Sequence, residues 1–330
     1  MNHVHDEELD LLVSRADLDG LIRLIDGACD AKDWERLARI GEAARSAVLT
    51  GRQLWPAATL AEYRTALLAP AEWAARVITD ESSQFSLGPL TEVIAQNHTW
   101  AELSPLLLPG PARSFVAHER VLRGESIDDD GTIDPVLDTP LWLEPWEPAY
   151  ELAVYKPNEA RFDPPPFPST PIEVPLPPPG ELIGDPDTVE AFRELVAPWT
   201  AHSNGRIEVA VVEGDHLEAI AALGPARARI TTLTSAEALS WMAWAGAVGG
   251  AHGRRRGAAA GRFGAWWTIA ALCGVLDDWP LAPDDLGDLA RGLQWFWWDA
   301  YEPPNGWQLQ LAVCDPVEGL SWAVSAQDLS

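Results

Sequence analysis

The sequence predicts an α+β multidomain chain: an N-terminal all-α helical region, solenoid-like or bundled, an acidic Pro-rich strap, and a C-terminal mixed β-sheet with helices. Three observations predict it. Residues 6–124 repeat apolar positions at helical spacing, and fourteen of the 28 prolines fall between Pro135 and Pro179. Strand-like runs of β-branched and aromatic residues, bounded by turn signals, follow residue 205. The boundaries implied are 1–124 for the helical domain, 125–186 for the strap and 187–330 for the mixed α/β domain.

Within the first region DLDGLIRLID (17–26) places Leu18, Leu21, Ile22 and Ile25 on one face, with Asp17 as N-cap. DWERLARIGEAARSAV (33–48) does the same with Trp34, Leu37, Ile40, Ala44 and Val48. Further helical patterns run through 57–69, 71–79, 87–96, 100–107 and 111–123. AKDWERLARI (31–40) and NHTWAELSPL (97–106) both set an Asp or Thr cap before Trp-x-x-Leu, 66 residues apart. Two helical repeats of about 33 residues produce that separation; an irregular bundle is the competing reading.

The strap is acidic as well as proline-rich, and the stretch 125–205 that contains it carries 17 acidic and three basic residues. Proline fixes φ and removes a donor, so PPPFP (164–168) and PLPPPG (175–180) read as extended chain. LWLEPWEPAYELAVY (141–155) carries Trp142, Trp146, Tyr150 and Tyr155, which need cover. This stretch is expected to lie on a folded domain.

Beyond a helix at 187–199, RIEVAVVEG (206–214), DHLEAIAALG (215–224) and ARITTLT (228–234) read strand–helix–strand. That order predicts parallel strands with a right-handed crossover. LQWFWWDAY, WQLQLAVCD and LSWAVSAQD then read as an antiparallel meander, split by EPPNG and PVEG. Ten of the 17 tryptophans lie in 241–322, where a buried core uses them.

Between the helices lies GAVGGAHGRRRGAAAGRFGAWW (246–267). Each interior glycine costs a helix about 1 kcal/mol relative to alanine, so an unbroken helix is excluded. The stretch divides into a helix over 235–248, a loop over 249–257 and a helix over 258–276, with Gly257, Gly261 and Ala265 as a ridge of small residues. Arg254, Arg255 and Arg256, with Arg262 beyond them, form a candidate site for a small anion at the second helix's N-terminus. The stretch lacks the G-K-[ST] of a P-loop. A membrane hairpin is disfavoured, because the first apolar run has 14 residues and Arg262 interrupts the second. The third reading is a solvated loop, or a clamp on the acidic strap.

A second candidate site is the strand end, where Glu213, Asp215 and His216 sit beside Thr234 and Ser235. A carboxylate next to an imidazole suits general acid–base work, although Asp215 is equally a helix cap. SIDDDGTID (126–134) resembles part of a calcium loop but has Leu137 where the bidentate Glu belongs, so it reads as an exposed acidic loop.

The net charge of −27 repels phosphate backbones and argues against nucleic acid. Twenty-one arginines against two lysines look like GC-rich bacterial coding. Cys29, Cys273 and Cys314 are far apart, and the acidic N-terminus is no signal peptide, so a cytoplasmic protein is expected. No cofactor and no metal are expected. The function that emerges is a non-enzymatic binding or scaffold protein whose partner is another protein. The alternative is an enzyme or small-molecule binder that joins Arg254–Arg256 to the strand end Glu213–His216. An open apolar groove on the helical array favours the first, and a pocket at the strand ends lined by Glu213, His216 and Arg254–Arg256 favours the second.

Overall fold

The computed structural model describes residues 2–79, 87–128, 131–167, 170–301 and 306–328, with main chain alone for 2–6. The chain divides into two compact units, each discontinuous in sequence: Met1–Val136 with Val154–Arg161, and Leu137–Ala153 with Phe162–Ser330.

The first unit is helical: α1 (Asn2–Arg15), α2 (Leu18–Asp30), α3 (Trp34–Leu49), α4 (Trp55–Leu68), α5 (Ala71–Ala74), α6 (Leu90–Asn97), α7 (Trp100–Leu103) and α8 (Pro111–Leu122). A 3-10 turn, Ala75–Val77, extends α5. The expected caps form. Asp17 accepts from the Gly20 amide at 2.9 Å, Asp33 from Arg36 at 3.0 Å, and Thr99 makes a capping box with Glu102. Leu21, Ile25, Leu37 and Ile40 close one core with no exposure, and Ile94, Leu103 and Val116 close a second. Helices pack on the next and on the next but one: α1 on α2 and α3, α2 on α3 and α4, then α4 on α6 and α6 on α8. This is an array of stacked helices, but the 33-residue period does not persist. Trp34 and Trp100 each begin a helix, whereas the midway position 67 lies inside α4. A short hairpin, β1 (Val154–Lys156) with β2 (Glu159–Arg161), completes the unit.

The second unit is built on a seven-stranded sheet of β3 (Ile172–Pro175), β4 (Glu181–Leu182), β5 (Arg206–Glu213), β6 (Arg227–Leu233), β7 (Gln294–Asp299), β8 (Trp307–Asp315) and β9 (Leu320–Asp328). Its order is β3-β6-β7-β8-β9-β5-β4, and every ladder is antiparallel. The strand–helix–strand unit is present, but its two strands are not neighbours. β5 and β6 run in the same direction with the meander β7–β8–β9 between them. Burial explains the order: five successive residues of β8, Leu309–Val313, are buried, whereas β5 alternates over its first half. A strand covered on both faces belongs in the middle of a sheet. Residues 302–305 of the EPPNG turn lie outside the described residues.

The two edge strands are linked by PLPPPG alone. From Pro175 to Glu181 six residues reach at most about 22 Å, whereas seven flat strands span about 29 Å. The sheet therefore curls. The link lies on the side of α11 (His216–Ala222): Leu176 joins the cluster of Ile220, Trp298, Ala312 and Ala323, and the Gly180 amide donates to the Glu218 carbonyl at 3.5 Å. On the other face α9 (Pro186–Leu195), α10 (Ala197–Ala201), α12 (Ser235–Ala247), α13 (Ala258–Leu272) and α14 (Pro283–Gly292) cover the tryptophan-rich core, which contains Trp199, Trp244, Trp266, Trp295 and Trp322.

The glycine-rich stretch forms two helices and a loop, as its composition requires. A methyl group on Gly261 would collide with the Ala243 carbonyl oxygen, and one on Gly246 would stand 3.2 Å from the Gly261 Cα. The helices α12 and α13 thus touch main chain to main chain. We expect Gly261→Ala to destabilise the second unit by about 1–3 kcal/mol, the usual cost of overpacking. Gly292→Ala, where an added methyl meets nothing within 4 Å, should leave stability unchanged or raised. Equal denaturation midpoints for the two variants would contradict the close approach.

Candidate functional site

The arginines of the 246–267 stretch do not converge on one point. Arg256 donates to carbonyl oxygens at the ends of two helices: Nη1 to Glu194 at 3.2 Å, Nη2 to Leu195 at 2.5 Å, and Nε to Gly246 at 2.8 Å. It is a cation placed at the C-termini of α9 and α12, where the helix dipole favours positive charge. Burial lowers its pKa from the ordinary value, opposed by the nearby Glu194 carboxylate. Arg255 stands over the Phe162 ring at 4.6 Å, and Arg254 is exposed.

Arg262 points into the protein and has no solvent exposure. Its Nε and Nη2 reach the two carboxylate oxygens of Glu147, each at 2.7 Å, and its remaining bonds go to the carbonyls of Pro140 and Trp142 at 2.8 and 2.9 Å. Glu147 also accepts from Trp266 Nε1 at 3.0 Å, from the Tyr150 hydroxyl at 2.5 Å and from the Glu144 amide at 2.9 Å. Burial, with Glu147 beside it, pushes the Tyr150 pKa well above its usual value, so the phenol stays protonated and donates. Trp146 packs on Trp266 with ring centroids 5.0 Å apart. The anion that Arg262 binds is thus the chain's own Glu147. An anion site of Arg254, Arg255, Arg256 and Arg262 together is not formed, because Arg256 and Arg262 use their donors within the fold.

At the strand end Asp215 is a cap, accepting from Leu217 and Glu218 amides at 2.8 and 3.0 Å. Glu213 ends β5 exposed. His216 stacks on Phe296, ring centroids 3.6 Å apart, and burial lowers its pKa. Phe296 also lines a cavity of about 500 Å³ with Thr232, Thr234, Ser235, Arg291 and Gln294. The arginine loop is elsewhere. The Ala251 amide donates to Asp328 at the far end of β9 at 2.5 Å, next to Gln327, which pairs with Arg206 at the start of β5. The length of β5, about 23 Å at 3.3 Å per residue, separates Glu213–His216 from that loop. One pocket uniting the two candidate sites is therefore excluded.

Sequence reasoning named a groove on the helical array as the mark of a binding protein but did not place it or identify its lining. A cavity of about 490 Å³ opens between α3, α4 and residues 73–79. Its floor is the α3–α4 contact, where Leu37, Gly41, Ala61 and Thr65 are buried. An added methyl at Gly41 would stand 3.3 Å from the Ala61 Cβ. Arg39, Arg45, Arg76, Glu35, Glu42 and Glu62 stand round it, and Trp73, Val77 and Leu90 make an apolar wall. Arg45 pairs with Glu62, and the Arg76 guanidinium lies 4.3 Å from the Trp73 ring centroid. Only Trp73 and Arg76, three residues apart on one turn, could have been found from spacing.

Among the described residues no group of three His, Cys, Asp or Glu side chains is placed to hold a metal ion, and no helix is long and apolar enough to cross a membrane. Asp129 and Asp130 of the acidic loop lie outside the described residues.

The chain belongs to a family of unknown function (DUF6183), whose family model matches residues 19–329 and so covers both units and the strap. No curated protein and no solved structure matches the chain.

Removing one partner of a buried, hydrogen-bonded ion pair leaves the other charge uncompensated, at a cost of about 3–5 kcal/mol. We expect Glu147→Leu and Arg262→Met each to destabilise the second unit by that order. The double variant should cost less than the sum of the singles. Singles within about 0.5 kcal/mol of wild type in denaturant titrations, the range of ordinary surface substitutions, would show that the pair does not hold the strap.

Proposed function

We propose that this protein is a non-enzymatic interaction protein, a scaffold that holds a partner protein in the groove of its helical unit. The groove itself carries this reading. It offers a buried apolar floor, an aromatic edge at Trp73 and a rim of both charge signs, in a chain whose net charge is −27. Its occupant is a partner segment that gives an apolar side chain to the floor and charged groups to Arg76 and Glu42. Aromatic and arginine side chains are the groups that most often carry interface energy. A cytoplasmic setting is supported by three cysteines that are all free.

A second reading rests on the strand-end cavity: a small polar ligand held by Thr232, Thr234, Ser235 and Gln294 above Phe296. Its support is narrower, because Arg291 is paired with Asp288 and Asp215 is used as a cap.

A photo-crosslinking residue at position 42 or 76, introduced into the full chain in its native host, tests the first reading. It should capture one discrete protein, and Trp73→Ala should reduce that capture at least about tenfold, the equivalent of 1.4 kcal/mol. Capture unaffected by Trp73→Ala, or matched by a crosslinker at exposed Val317, contradicts it.

A further inference from the structure

A different face of the helical unit already holds an extended segment of chain. The occupant is the β1–β2 hairpin, whose turn is Pro157-Asn158. Gln96 on α6 reads the Tyr155 main chain twice: its Nε2 donates to the Tyr155 carbonyl at 3.0 Å, and its Oε1 accepts from the Tyr155 amide at 2.7 Å. From α4 the Tyr63 hydroxyl donates to the Lys156 carbonyl at 2.6 Å and Arg64 Nε to the Pro157 carbonyl at 2.7 Å. Three successive carbonyls are thus each met by a side chain of the helices. Burial pushes the Tyr63 pKa up to about 12, so its phenol remains a donor at neutral pH.

Two side chains of the hairpin are read as well. The Tyr155 phenol donates to Glu92 at 2.6 Å, inside a pocket where Gly88 leaves no room for even a methyl group. Asn158 Oδ1 accepts from Arg64 Nη2 at 2.6 Å, and Arg64 is braced by Asp26 at 3.2 Å. Main-chain bonds supply affinity and side-chain pockets supply specificity in the recognition of extended peptides. A segment held merely as core filling would meet apolar side chains instead.

We propose that the α4–α6 face is a recognition site for a Tyr-x-Pro-Asn segment, occupied in cis by residues 155–158, and that a partner protein presenting the same pattern competes for it. This site is separate from the Trp73 groove and does not rest on it. The resident segment acts as a tethered competitor, so the affinity seen from outside is reduced to the fraction of molecules whose site is open.

The test uses the full chain and a fluorescent peptide, AVYKPNEARF, copied from residues 153–162. Tyr155→Ala with Asn158→Ala unseats the cis segment while leaving Gln96, Tyr63, Arg64 and Glu92 in place. The double variant should bind the peptide at least about tenfold more tightly than wild type does, as expected when a closed site opens. Adding Gln96→Ala should abolish that gain, and Trp73→Ala should not affect it. If the double variant does not fold, Tyr155→Phe loosens the segment by one hydrogen bond and should still bind more tightly than wild type. Equal binding by wild type and the folded variant, or no binding by either, overturns the proposal.

Discussion

The side chains of Glu147 and Arg262 have no solvent exposure, yet each is provided with partners. The carboxylate accepts five hydrogen bonds, from both Arg262 nitrogens, Trp266, Tyr150 and the Glu144 amide. Taking two charges out of water is costly, and it is offset only when geometry is good and the remaining donors and acceptors are satisfied. The observed placement of residues 137–153 meets that condition. Much of the second unit follows from it: Trp146 lies on Trp266 and against Gly287, where a larger residue would strike the indole. α13 can carry an arginine in an otherwise apolar helix because the strap brings it a carboxylate.

The same economy of charge runs through the arginine loop. Arg256 ends two helices at once, and the glycines around it allow backbone to approach backbone. Cations and small residues together fold the α12–α13 hairpin against the sheet. The polyproline link acts at the other side: too short to cross a flat sheet, it requires curvature, and the curved face receives α11. These constraints do not involve the groove of the helical unit, where the proposed interaction is placed.

Local patterns were legible in the sequence. The caps at Asp17, Asp33, Thr99 and Asp215 and the interruption at 249–257 follow from nearest-neighbour chemistry, which a sequence states directly. The fold class followed from periodicity. Pairings across distance were not legible. Arg262 looked like a flaw in an apolar run, and nothing in LWLEPWEPAY told which carboxylate would meet it across 115 residues. The order of the sheet was misread for a related reason, since strand–helix–strand spacing fixes direction but not adjacency. The groove could not be placed from sequence because its floor is a helix contact and its rim is drawn from three separate segments.

The central claim is that the Glu147–Arg262 pair fixes residues 137–153 on the second unit, and backbone amide exchange measures this most directly. The Glu144 amide donates to Glu147 Oε2 at 2.9 Å and the Glu147 amide to the Glu144 carbonyl at 3.0 Å. In the wild-type chain both should exchange far more slowly than in a free peptide of the same sequence, and in Arg262→Met both should approach the peptide rate. Peptide-like exchange in wild type, or protection unchanged in Arg262→Met, would contradict the account.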